Sequence, residues 1–211
     1  VFQPQLDKLL AWASAPERQS ELVTAKAVFF ERTGEAHEED RSFEARLALF
    51  VEHYLFDRDM DGSDAPPARL YLERNRAAIL PEEEPAFAAL ASTVHGIFEV
   101  RKLGTKLGLR VREVLSHTEY DVVERRGLVG LNKGDILEAR LVPVDGNHVF
   151  TGNFLYHPAE ARKAILKEAK RRRKADPGAD ASREFAYDLA RLALKLERYK
   201  SVPVENIYKF D

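Results

Sequence analysis

The stretch Asp57-Arg58-Asp59-Met60-Asp61-Gly62 carries the most recognisable chemical spacing in the chain. Asp57, Asp59 and Asp61 stand at alternate positions ahead of a glycine, as in the first half of a calcium-binding loop. A hard cation takes several carboxylate oxygens, and the glycine permits the sharp turn that gathers them. The second half departs from the pattern. Ala68 stands where a bidentate Glu closes such a loop, Asp64 replaces an apolar residue, and Pro66-Pro67 obstructs the closing turn. The expectation is an exposed acidic loop after a helix and no cofactor, with a divalent cation held by Asp57, Asp59 and Asp61 as the alternative.

Lys167, Lys170, Arg171, Arg172, Arg173 and Lys174 form the densest positive cluster. Such a run suits phosphate contacts beside a small β-sheet. It also suits a solvated helix C-terminus, where cations complement the dipole. Stacking on nucleobases would fall to Phe98, Tyr120, Phe150, Phe154 or Tyr156, each of which fits a core position as well. Of the six histidines, His117, His148 and His157 stand at strand ends and could meet at one rim, while His53 lies beside an apolar helical stripe. No HExxH pair, nucleophile elbow, phosphate loop or dinucleotide fingerprint occurs, so no catalytic residue is assigned. The glycines of Gly127-Leu128-Val129-Gly130 and Gly134 read as punctuation between strands.

Composition bounds the partners. The 211 residues are 45% hydrophobic and 32% charged with a formal net charge of −2, so any basic partner surface must be local. Cysteine is absent, which removes disulfides, thiolate metal sites and cysteine catalysis and is compatible with a cytoplasmic location. No apolar run approaches the ~18–20 residues of a membrane span, and the start lacks a signal-peptide layout. The chain begins at Val1 without an initiator Met, which leaves room for residues upstream.

The elements that would position these groups follow from periodicity. Helices are expected over Gln5–Ala13, from Ser14-Ala15-Pro16-Glu17 to near Gly34, and over Glu38–Phe56, where Phe43, Leu47, Phe50, Val51, Tyr54 and Leu55 recur at three- and four-residue steps. Shorter helices are expected over Pro67–Ile79 and from Leu80-Pro81 through Val94 to about Ile97, with Gly96 near the end. The period then shifts towards two. Strands are expected over Ile97–Arg101, Leu107–Leu115, Glu119–Glu124, Asp135–Val142 and His148–Leu155, the last two joined by a tight Asp145-Gly146-Asn147 turn. Asp135 and Arg140 read as turn and surface residues. Helices resume over Pro158–Lys174, break at Asp176-Pro177-Gly178, and continue over Ser182–Tyr199. The fold class is α+β: a helical region (1–95), a small antiparallel barrel-like module similar to SH3 or OB architectures (96–157), and C-terminal helices that pack back on the rest (158–211).

His95-Gly96-Ile97-Phe98-Glu99-Val100, the LxxGDILxARLVP pattern over Leu131 to Pro143, Gly146 and Phe150-Thr151-Gly152 resemble a module of uncharacterised bacterial proteins. In some of these a helical region precedes a small β-module, and some carry a Cys-rich SEC-C zinc motif. The resemblance spans roughly Phe43 to Pro158 and implies an architecture rather than an activity. Without cysteine the zinc motif does not carry over. The reading favoured at this level is a non-enzymatic cytoplasmic adaptor that binds another protein, its oligomeric state open. The alternative is nucleic-acid binding through the β-module and the basic helix end. A third is a metal-dependent enzyme or cation-binding protein.

Overall fold

Strands that are buried on both faces form the centre of the molecule. The computed structural model describes residues 2–104, 108–123, 130–175 and 179–210. Leu107 and Glu124 at the ends of two expected strands, Gly127-Leu128-Val129, and the Asp176-Pro177-Gly178 break lie outside them. The strands are β1 (Val94–Leu103), β2 (Gly108–Glu113), β3 (Glu119–Val123), β4 (Ile136–Val144), β5 (Asn147–Phe150) and β6 (Leu155–His157). Their order is β1-β2-β3-β5-β4, and pairing of β1 with β4 closes a five-stranded barrel. Neighbours are antiparallel except β3 and β5, which meet in parallel at Val122 and His148.

Alternation assigns the two faces. Phe98 and Val100 of β1, Leu109 and Val111 of β2, Val122 of β3, and Leu137, Ala139 and Leu141 of β4 fill the barrel. The opposite parity, including Ile97 and Ile136, turns outward into a second core with the C-terminal helices. Burial on both faces explains why β4 is mostly apolar, with its two charges, Glu138 and Arg140, buried as well. The turn from β4 to β5 follows the Asp-Gly rule, with Asp145 at φ 49° and Gly146 at φ 76°.

The expected last strand is split in two. Thr151 to Phe154 leaves the sheet, and Leu155–His157 rejoins β4 opposite Ile136–Glu138. Gly152 at φ 107° allows the detour, and Asn153 Nδ2 donates to Glu52 Oε1 at 2.7 Å, drawing the loop towards a helix. The strand set also begins earlier than expected. Val94 opens β1 rather than prolonging a helix, and Gly96 sits within the strand. A Cβ there would meet Glu113 Cγ at 3.0 Å, so the glycine makes room for that side chain.

Five N-terminal helices precede the barrel: α1 (Gln3–Ala13), α2 (Gln19–Thr33), α3 (Phe43–Phe56), α4 (Pro67–Arg74) and α5 (Glu84–Leu90). Leu9, Phe29, Phe30, Phe50, Tyr54 and Leu55 form their shared core. Helix α3 starts later than the acidic run at Glu38 suggests. Asp40 Oδ2 accepts from His37 N and from Arg198 Nη2, both at 2.7 Å, so this segment is a turn tied to a distant helix. Helices α6 (Arg162–Ala175), α7 (Ala179–Arg198) and α8 (Val204–Ile207) cover the outer wall of the barrel. Helix α7 serves both cores, with Tyr187 and Ala190 in the first and Phe185, Ala186 and Leu189 in the second. Among the described residues no helix is long and apolar enough to cross a membrane.

Candidate functional site

Helix α6 forms because Ile165 and Ala169 recur four residues apart and bury against the outer barrel wall. That placement decides what its charges do. Lys163, Lys167, Lys170 and Lys174 recur at helical spacing and are all exposed. Among the described residues no carboxylate lies within ion-pair reach of any of the four. The arginines of the run behave differently. Buried Glu168 accepts from Arg171 Nη2 at 2.6 Å and from Arg172 Nε at 2.7 Å. These hydrogen bonds, Arg171's foremost, hold its pKa below the usual carboxylate range against burial. Arg172 also reaches Asp188 at 2.6 Å and stands over the Phe185 ring. Arg173 donates to His117 Nε2 in the β2–β3 turn. Burial, then Arg173 and Arg112, keep the His117 pKa low, which suits a neutral acceptor ring.

The six-residue basic cluster therefore divides. Lys167, Lys170 and Lys174 face solvent, Arg171 and Arg172 are neutralised locally, and Arg173 fastens the helix end to the barrel. Lys163 belongs with the lysines although it lies outside the dense run. Its spacing of four from Lys167 was the available signal.

At the other end of α6, three guanidinium groups converge on one carboxylate. Glu99 on β1 is 0% exposed. Its Oε2 accepts from Arg112 Nη2 at 2.8 Å and Arg101 Nη1 at 3.1 Å, and its Oε1 from Arg162 Nη2 at 2.5 Å. Burial opposes the charge on Glu99, but Arg162 and Arg112 overcome it and hold the pKa below the ordinary value. A hollow of about 360 Å³ opens beside this group, bordered by Arg101, Lys133, Asp135 and Arg162. Asp135 accepts from Asn132 N at 2.7 Å, which holds the turn before β4.

A second ionic group lies between the helices and the barrel. Arg140 is 1% exposed, so it is an interior residue and not the surface residue expected from its sequence. Period-two parity turns it towards α3 instead of solvent. It donates to Asp57 Oδ1 at 2.9 Å, Thr93 Oγ1 at 3.0 Å and Glu52 Oε2 at 3.3 Å. Burial disfavours the charge on Asp57, and the Arg140 charge outweighs that, leaving its pKa well below the carboxylate range. His53 and His95 each bring Nδ1 within 4 Å of Asp57 Oδ2, at 3.8 and 3.9 Å, and His95 Nε2 meets Glu138 Oε1 at 2.9 Å. This arrangement balances buried charge and ties α3 to β1 and β4.

The other expected groups are dispersed. Asp57 is engaged by Arg140, Asp61 pairs with Arg58, and Asp59 is exposed. Among the described residues no three His, Asp or Glu side chains are grouped to hold a metal ion. The strand-end histidines do not meet at a rim. His157 is buried against Tyr208, with Nδ1 to hydroxyl 3.0 Å, His148 lies edge-on to Tyr120, and His117 contacts Arg173. Of the stacking candidates, Phe98 is fully buried, Tyr120, Phe150 and Phe154 line the barrel core, and Tyr156 is 56% exposed.

Sequence comparison places residues 23–192 in a family of unknown function (DUF7986), and the chain belongs to that family. No curated protein and no solved structure matches it.

Proposed function

We propose that this DUF7986 member binds nucleic acid along the outer wall of its barrel, with α6 contacting the phosphate backbone. One observation carries the reading: Lys163, Lys167, Lys170 and Lys174 form an outward stripe on a helix whose other face is buried, with no carboxylate in ion-pair reach among the described residues. Four residues spanning three helical turns extend about 16 Å, enough to follow several phosphates. An anionic membrane is a poorer fit, because a surface-bound helix inserts its apolar face and that of α6 already covers the barrel. With Tyr156 as the exposed aromatic among the stacking candidates, the contact is led by phosphate rather than by base stacking. Titration with mixed-sequence DNA and RNA at low salt tests the proposal, and no binding to either removes it.

The adaptor reading places a protein-interaction surface on the β-module and its adjoining helices; away from these, α2 also exposes apolar side chains, Val23 at 66% and Val28 at 53%. It expects a protein partner that stays bound after nuclease treatment, whereas the nucleic-acid reading expects nuclease to release whatever co-purifies.

A further inference from the structure

We infer that the hollow beside Glu99 is a binding site for a phosphomonoester, either the terminal phosphate of a nucleic-acid strand or that of a free nucleotide. The inference deepens the nucleic-acid reading and rests on it.

The charge around Glu99 is out of balance. Among the described residues Arg101, Arg162 and Lys133 border the hollow and Arg112 joins them through Glu99, so four cations face the two bordering carboxylates, Glu99 and Asp135, leaving two positive charges over. Glu99 alone does not account for three guanidinium groups. Each has five N–H donors and gives one to this carboxylate. Arg112 Nε is buried without a partner. Lys133 has no ion pair among the described residues. Asp135 takes the Asn132 backbone N–H on Oδ2 and forms no ion pair with these cations among the described residues.

The site is also pre-organised. Glu99 borders the hollow but is sealed from solvent, and its carboxylate orients the guanidinium forks. Gly134 forms part of the wall at φ 94°, its N–H given to Val100 O at 2.8 Å. A Cβ at Gly134 would come within 3.3 Å of Arg162 Nε, so glycine leaves that fork its position. A phosphomonoester carries a charge of about −1.5 to −2 at neutral pH and three acceptor oxygens. It matches the surplus charge and donors better than an internal phosphodiester, and planar guanidinium groups bind it with paired hydrogen bonds. The lysine stripe of α6 starts at Lys163, next to Arg162, so a strand lying on α6 would deliver its end to the hollow.

The test uses the full chain and one internally labelled oligonucleotide made with a phosphate at the 5′ end, at the 3′ end, or at neither. Fluorescence anisotropy at fixed salt is expected to show roughly tenfold tighter binding for one phosphorylated form. Arg162→Gln with Lys133→Gln collapses that ratio to one, and a nucleoside monophosphate competes it away if free nucleotides share the site. Lys167→Gln with Lys170→Gln lowers all three affinities and keeps the ratio. A cooperative unfolding transition above the assay temperature in each variant shows that the fold persists. Equal binding of the three forms overturns the pocket while leaving the nucleic-acid reading in place. If no oligonucleotide binds, that reading fails. Calorimetry with the nucleoside monophosphate then decides the pocket: heat abolished by Arg162→Gln supports it, and no heat overturns it.

Discussion

Arg162, the first residue of α6, donates from Nη2 to Glu99 Oε1 at 2.5 Å and so fastens the start of the helix to the outer face of β1. Eleven residues later, Arg173 fastens the other end to His117. Between these two ties the helix has little freedom to turn, and its lysines stay outward. Arg162 thus both holds the helix and borders the hollow, whereas the four lysines of the stripe make no ion pair among the described residues.

The Arg140–Asp57 pair should be the costliest polar contact to break. Arg140→Met leaves Asp57 and Glu52 without their cation in a largely water-free seam. Losing one partner of a buried pair costs roughly 3–5 kcal/mol. Urea unfolding of the variant should show a loss of that size with an unchanged m-value. A loss under about 1 kcal/mol would mean the seam is wetter than described.

His157 should make the fold acid-sensitive. Burial pushes its pKa down to about 4, below the ordinary 6.5. Below pH 6.5 the unfolded chain takes up a proton that the folded chain refuses. Stability therefore falls as the pH drops from 6.5 towards 4 and levels off below that. At pH 4.5 the loss relative to pH 7 is about 2.5 kcal/mol from this residue. His157→Gln should flatten the pH–stability curve in that window, and an identical slope in both proteins would show that other groups set it.

Gly34 should not tolerate a side chain. It ends α2 at φ 96°, and a Cβ would come 2.9 Å from Leu194 Cδ2 of α7. Gly34→Ala combines backbone strain with that clash and should cost about 1 kcal/mol or more. Thermal unfolding checks this, with Gly62→Ala as a comparison at positive φ where nothing lies within 4 Å.

Calcium should leave the melting temperature unchanged. Asp57 faces Arg140 and Asp61 faces Arg58, so neither is free to join Asp59 around a cation. A rise at millimolar calcium that vanishes in Asp59→Ala with Asp61→Ala would show that the loop rearranges to bind.

Local signals were legible in the sequence, and long-range pairings were not. The β4–β5 hairpin follows from Asp145-Gly146 because that turn needs two positive φ angles in sequence. The apolar stripe of α3 follows from three- and four-residue spacing. Arg140 misled because a charge in a mostly apolar strand reads as solvent-facing until its partner is known, and Asp57 lies 83 residues away. Glu99 was silent for the same reason, since its arginines come from β1, β2 and α6. The split of the last strand depends on Glu52 drawing Asn153 out of the sheet, a contact 101 residues apart. The basic cluster was visible as composition, but which of its members face solvent depends on Glu168 being buried.

The salt dependence of oligonucleotide binding tests the central claim most directly. Single-stranded DNA should bind the full chain with log K falling linearly against log salt, and each contacted phosphate should contribute roughly 0.7 to the slope. Replacing Lys163, Lys167, Lys170 and Lys174 with Gln should reduce that slope by up to about 3 without changing the melting temperature. A slope that is the same in both proteins, or no binding by the unaltered chain at 50 mM salt, would contradict the account.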